Sequence, residues 1–274
     1  MTDDFETDYD PEDPEADEID PAFYSAGGSV LSDPELELLG AIEGLNVLNL
    51  QPGTGEEAIS LANLGATVTV VDDEHSLIDA IALSQEAAVP VTFVEADVNA
   101  LPAKFRLGEF DLVYSGFGGI DWLTDLEGWA EGIAEALKTG GRLLIYDEHP
   151  FSYAFEVEEG ALVVANSYFG DNDSIDQMAY PGEEYDAPEE EGEEDDDIVI
   201  LEGGGEEESS FSWTLGDLIT ALGSNGLATL ALREFQTSDR FETPLDRFYE
   251  ELDDDSIGKI PSAFMLMAVK LPTA

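Results

Sequence analysis

The stretch from Asn46 to Asp72, NVLNLQPGTGEEAISLANLGATVTVVD, restricts the fold more than any other part of the chain. Val47, Leu48 and Leu50 make a short apolar strand, Pro52-Gly53-Thr54-Gly55 a turn, and the residues up to Gly65 a helix; Val68 to Val71 then form a second strand that stops on Asp72. A strand, a glycine-rich turn and a helix start bring backbone N–H groups close to a ligand, and an acid closing the next strand can take a ribose diol. The segment reads as the first half of a nucleotide-binding α/β domain.

The rest of the chain extends that pattern. Ser32-Asp33-Pro34-Glu35 is a capping box with proline in the first turn, predicting a short helix through Leu39. Leu77, Ile78 and Ile81 predict a helix ended by Pro90, Val91 to Glu95 a third strand, and Phe110 to Tyr114 a fourth that opens into SGFGGIDW. Trp122, Leu126, Trp129, Ile133 and Leu137 recur at helical spacing and predict one apolar helix face. Leu137 to Gly141 predicts the helix end and a turn, and Arg142 to Tyr146 a fifth strand ending in Asp147-Glu148-His149-Pro150. Strands alternating with helices predict an α/β, doubly wound, mostly parallel sheet. Periodicity breaks down over 151–210, apart from a strand candidate at Ala161 to Ala165, so this stretch is expected to be an inserted lid. Thr214 to Asp217 opens a further helix, and Leu227 to Phe235 and Ser262 to Lys270 predict the last strands. Residues 1–22 are acidic and proline-rich and are expected to be a disordered tail, leaving 23–274 as one domain.

Charge narrows the setting. Nine basic residues stand against 64 acidic ones in 274, a net charge of −55. Eleven of the acids lie in residues 1–20 and fifteen in 183–208, so the remaining 38 still outnumber all nine bases. Acid spread over every segment is expected of a protein adapted to concentrated salt, where a Debye length of ~3 Å at 1 M screens self-repulsion. The first basic residue is Lys104, and such a surface repels phosphate backbones, so nucleic acid is excluded as a partner. With no cysteine and only His75 and His149, a Cys- or His-based metal site is excluded. No apolar run approaches ~20 residues and the N-terminus is acidic, so neither a membrane span nor a signal peptide is expected, and the predicted location is the cytoplasm.

Gly53-x-Gly55-x-x-Ala58, with Asp72 after the second strand, fits a dinucleotide fingerprint and keeps an NAD-dependent oxidoreductase open. Gln51 and Pro52 between the strand and the first glycine argue for a wider turn than that fingerprint uses. Taken together, VLNLQPGTGEEAISLANLGATVTVVD, VEADVNALP, FDLVYSGFGGIDWL and LKTGGRLLIYDEHPF, in this order, resemble the class I S-adenosylmethionine-dependent methyltransferases over about residues 40–150. FSWTLGDLITALGSNGLATLALREF resembles a C-terminal segment of a small-molecule branch of that family. The resemblance implies a Rossmann-like sheet of seven strands with the last antiparallel, S-adenosyl-L-methionine as cofactor and a small-molecule acceptor. It assigns Gly53, Thr54 and Gly55 to the methionine part of the cofactor and Asp72, with Asp73 beside it, to the ribose. Asp97 and Val98 fall to the adenine, and Ser115 and Gly116 to the sulfonium side. Asn49 and Gln51 stand where the family has an acid and a glycine, and Pro52 where it has a small residue. A relic of the fold without cofactor is the third reading.

Methyl transfer is an in-line displacement in which alignment supplies much of the catalysis, so a general base is optional. His149, ending the fifth strand, is the candidate if one is used, against a role in packing or capping before Pro150. Tyr114, Phe117, Trp122, Tyr153 and Tyr168 are the candidate walls of an acceptor pocket, with the 151–210 insertion as lid.

Overall fold

The computed structural model describes residues 20–73, 77–158, 161–169, 213–238, 240 and 259–272. Most of the expected acidic tail (1–19), His75, and the greater part of the expected lid (170–210) lie outside the described residues. Within the chain the elements are α1 (Pro21–Ser25), α2 (Asp33–Leu39), β1 (Asn46–Leu50), α3 (Glu56–Asn63), β2 (Thr67–Asp72), α4 (Leu77–Glu86), β3 (Thr92–Glu95), β4 (Phe110–Ser115), α5 (Leu126–Ala136) and β5 (Leu137–Glu148). A 3-10 helix (Pro150–Ala154), β6 (Phe155–Glu158), β7 (Ala161–Val164), α6 (Leu215–Ser224), β8 (Leu227–Phe235) and β9 (Ala263–Lys270) follow.

Seven strands form one sheet in the order β3-β2-β1-β4-β5-β9-β8, and β6 pairs with β7 in a separate hairpin. β1 runs parallel to β2 and β4, and β4 parallel to β5, whereas β9 is antiparallel to both β5 and β8. The chain thus steps outward from β1 to β3 and then crosses back to β4. The crevice between β1 and β4 is where an open α/β sheet binds ligands.

The sheet is covered on both faces, which explains why β1 and β4 carry apolar residues at adjacent positions, Val47-Leu48 and Leu112-Val113, rather than alternately. Leu48, Leu50, Val113 and Ile145 pack with Trp129 and Ile133 of α5 and Leu218 and Leu222 of α6. Val47, Val70, Leu112, Tyr114 and Leu144 pack with Leu39 of α2 and Ala58 and Leu61 of α3 on the other face. Each fully buried leucine or isoleucine contributes roughly 1.5–3 kcal/mol, so both layers are needed to hold the crevice open between them. Arg142 of β5 ties the layers together by donating to the Leu38 and Leu39 carbonyls at the end of α2 (3.1 and 2.8 Å), partners that a helix end lacks within itself.

Three boundaries differ from the sequence reading. α1 begins at Pro21, inside the expected tail, because Asp20 caps it through the Ala22 N–H and Tyr24 is buried. α5 starts at Leu126 on the Asp125 cap, which leaves Trp122 outside the helix. β5 begins at Leu137, so the expected Lys-Thr-Gly-Gly turn is part of the strand, with an irregularity in pairing between Phe110 and Leu112.

Candidate cofactor site

A cavity of about 590 Å3 opens at the C-terminal ends of β1, β2 and β3 and the loop after β4, within the range of small-ligand sites. Six residues expected from the sequence line it: Gln51, Gly53, Asp72, Asp73, Asp97 and Val98. Phe117 and Trp122, expected as acceptor walls, line it too, together with Ala96, Asn99, Gly118 and Gly119. A second cavity of about 310 Å3 shares Gln51, Gly53 and Phe117 with the first and adds Thr54, Glu57 and Arg240.

The turn after β1 is shaped by three left-handed backbone angles in five residues: Gln51 (φ 49), Gly53 (φ 53) and Gly55 (φ 89). A side chain at such an angle costs about 1–2 kcal/mol, so the position of Gln51 is one where glycine would be easier. Gly55 caps α3 and cannot carry a side chain for a second reason, since a Cβ there would meet Ala80 of α4 at 2.7 Å. It lines neither cavity, so its place is the α3–α4 contact.

Asp72 ends β2 and is 7% exposed, with its Oδ1 accepting the Asp73 N–H at 2.9 Å. Burial pushes its carboxyl up to about 6, partly offset by that N–H. Asp97, exposed at the cavity edge, holds the following turn by accepting from the backbone and side-chain nitrogens of Asn99 (2.8 and 3.0 Å).

Asn49, Ser115 and Gly116 stand just behind the lining. Asn49 is fully buried and donates to the Leu50 and Tyr114 carbonyls, while its Oδ1 is without a partner among the described residues. Gln51 Oε1 and Ser115 Oγ are buried and unpartnered in the same sense, and both lie close to Gly119. Gly116 is pressed against the carboxylate of Glu57. Glu57 pairs with Arg240 at 2.8 Å, Arg240 with Glu35 at 3.0 Å, and Glu35 accepts from the Tyr114 hydroxyl. Burial raises Glu57 to about 7, with Arg240 opposing it.

Four aromatic and imidazole expectations are corrected by the geometry. Tyr114 lines neither cavity: side chains alternate along a strand, and this one enters the α2–α3 layer. Tyr153 is hydrogen-bonded with Asp121 and Glu148, and Tyr168 accepts the Leu215 N–H at 3.2 Å while packing edge-on against Phe151; neither lines either of these two cavities. His149 is 4% exposed and caps the 3-10 helix. Its Nδ1 accepts the Phe151 N–H at 3.1 Å, which leaves Nε2 to donate to Glu234 at 3.0 Å. No lone pair of the ring is free to take a substrate proton, and burial lowers its basicity against the pull of Glu234.

Sequence reasoning missed Glu57, Arg240 and Asp147. Asp147 accepts from Gly118 (2.6 Å), Ile120 (3.0 Å) and Glu148 (2.8 Å), and burial followed by the nearby Asp121 charge holds its carboxyl above the usual range. Its place at the end of a parallel strand was the one signal available.

The residues present fit a cationic adenosine-containing cofactor. Three carboxylates and, among the described residues, no Lys or Arg line the larger cavity. The first turn of α3 carries Glu56 and Glu57, which repel the pyrophosphate of a dinucleotide from that helix start. A carboxylate at the end of β2 suits a ribose diol, and the unpartnered oxygens of Asn49, Gln51 and Ser115 can accept from an ammonium. Among the described residues no group of three or more His, Asp or Glu side chains could hold a metal, and no helix is long and apolar enough to cross a membrane.

Comparison with known proteins agrees with the topology. Residues 48–145 match the family described as a methyltransferase domain. A demethylmenaquinone methyltransferase of Beutenbergia cavernae is 33% identical over 113 residues, which is 40% of this chain and 43% of that enzyme. The chain therefore spans less than half the length of that relative. An S-adenosylmethionine-dependent methyltransferase from Mesorhizobium loti superposes with a TM-score of 0.58 at 21% identity, covering 86% of this chain and 96% of that one. A [4+2]-cyclase shares the fold with a TM-score of 0.54 at 16% identity over 87% and 79% of the two chains. The fold alone therefore does not fix the reaction. The chain thus shares the Rossmann-like fold of these methyltransferases, and residues 48–145 match the methyltransferase-domain family.

Proposed function

We propose that the protein is an S-adenosyl-L-methionine-dependent methyltransferase acting on a small-molecule acceptor. The observation that carries this reading is the cavity at the β1–β4 crevice, lined by Asp72, Asp73 and Asp97 and by no cation among the described residues. Such a lining favours a sulfonium and disfavours the pyrophosphate of NAD. Bound there, the cofactor supplies a methyl group on positively charged sulfur. Asp72 holds the ribose, Asp97 and Val98 the adenine, and the Gly53–Thr54 turn the methionine part. Phe117 and Trp122, 40% and 50% exposed at the rim, give the acceptor an apolar face to lie on. The protein's work is alignment and exclusion of water rather than proton abstraction, because His149 is sealed. With the cofactor held in this way, Phe117 and Trp122 would align an acceptor nucleophile with the methyl carbon for in-line displacement from sulfur.

The acidic surface supports a working environment of concentrated salt. Isothermal titration in about 2 M KCl tests the whole reading. S-adenosylmethionine and its demethylated product are expected to bind and NAD to give no heat; the reverse pattern in folded protein would overturn it. In the same samples the thermal midpoint is expected to fall as KCl is lowered to about 0.1 M.

A further inference from the structure

The loop that follows β4 has its amides committed elsewhere. Asp147 takes the N–H of Gly118 and of Ile120 on separate oxygens, at 2.6 and 3.0 Å, and is 1% exposed. Glu57 takes the N–H of Phe117 and lies so near Gly116 that a Cβ there would come within 1.9 Å of Oε2. The Gly119 N–H goes to the Gly116 carbonyl at 3.4 Å. Every backbone donor of residues 117–120 is therefore used within the protein, those of Phe117, Gly118 and Ile120 by carboxylates from α3 and β5 and that of Gly119 by the loop's own Gly116 carbonyl. What the loop retains for a ligand is acceptor oxygens and the Phe117 ring, and rings and acceptors attract cations. The unpartnered Gln51 Oε1 and Ser115 Oγ, 3.3 and 3.0 Å from where a Gly119 Cβ would be, add two more acceptors at the same place.

We propose that Glu57 and Asp147 are positioning residues that claim the amides of Phe117, Gly118 and Ile120, so that this end of the cavity selects a cationic, donor-bearing ligand group and rejects an anionic one. The proposal rests on the methyltransferase reading for the identity of that group, the ammonium and sulfonium of the cofactor's methionine part. Both side chains act through the loop and need not touch the ligand.

Asp147→Asn keeps the volume but turns one acceptor into a donor facing an N–H, and Glu57→Gln does the same at the other clamp. In about 2 M KCl, NMR amide exchange would follow residues 117–120, and titration would compare S-adenosylhomocysteine with adenosine. Exchange at the released amides is expected to quicken about tenfold or more, and affinity for S-adenosylhomocysteine to fall about tenfold, while adenosine affinity is unchanged. Unchanged exchange, or an equal loss for both ligands, would overturn the proposal, since a merely structural lesion does not separate them. If the native protein bound neither ligand, the cofactor reading would fail by itself, and exchange in the variants would still decide the clamp. Should one variant not fold, the other carries the same test.

Discussion

The β2–β3 end of the cavity is lined by side chains that follow two neighbouring strands and come from one short span of chain: Asp72 and Asp97 accept hydrogen bonds from no further than two residues along, and Val98 packs into the core beneath. The β4–β5 end is made of backbone held by Glu57 and Asp147. Behind Glu57 the buried Arg240, Glu35 and Tyr114 continue the network across elements some 200 residues apart. One end can lose a side chain and keep its shape, whereas the other cannot. Binding determinants and folding determinants are thus separate at the first end and fused at the second.

The strongest way to test that contrast is Glu35→Ala. Glu35 is fully buried and pairs with Arg240, so its loss leaves the buried guanidinium with Glu57 alone and the Tyr114 hydroxyl without its acceptor, expected to cost about 3 kcal/mol in denaturant unfolding. Asp72→Ala should do the opposite. It would leave the unfolding midpoint nearly unchanged and, if Asp72 holds the ribose as proposed, weaken S-adenosylhomocysteine by about 100-fold or more by titration, the two charge-assisted hydrogen bonds of that contact being worth about 1.5–3 kcal/mol each.

A smaller effect follows from pH. Asp72, raised to about 6 by burial, binds its proton more tightly folded than unfolded. Its share of stability is therefore greatest at low pH and is lost as pH rises from the ordinary carboxylate range to about 6. Ribose binding by the ionised form runs the other way, so affinity at pH 5 should be about tenfold below that at pH 7.5, and Asp72→Asn should flatten the profile. Smallest of all is His149→Gln, expected to lower stability by about 1–2 kcal/mol and to leave cofactor affinity unaltered. A large loss of affinity there would place the imidazole at the site after all.

The same contrast decides what could be read from the sequence. That Asp72 and Asp97 line the cavity was legible because an acid at or just past a strand end announces itself locally, by the apolar run before it. The sheet was legible for the same reason, each strand carrying its own apolar signature. Tyr114 was misplaced because a strand's face is set by alternation, and Leu112, Tyr114 and Leu144 had to be assigned to the α2–α3 layer before it could be oriented. The Glu57 and Asp147 clamps were invisible because in a chain with 64 acids nothing in the sequence marks the two that meet backbone amides. His149 looked available because one partner, Glu234, comes into view only once β8 is placed beyond β9, and the other, the Phe151 N–H, only once the chain turns into the 3-10 helix.

The order of strands also governs how the protein can be made. β9 lies between β5 and β8 and supplies the hydrogen bonds of both, yet it follows every other strand in the chain. A ribosome that has released β1 to β5 has delivered the whole crevice, but β5 still exposes an open edge and β8 has nothing to pair with. Unpaired edges invite association with other chains. Dense negative charge, usually read as a response to salt, would also keep such half-finished chains apart until residues 263–270 emerge and close the sheet.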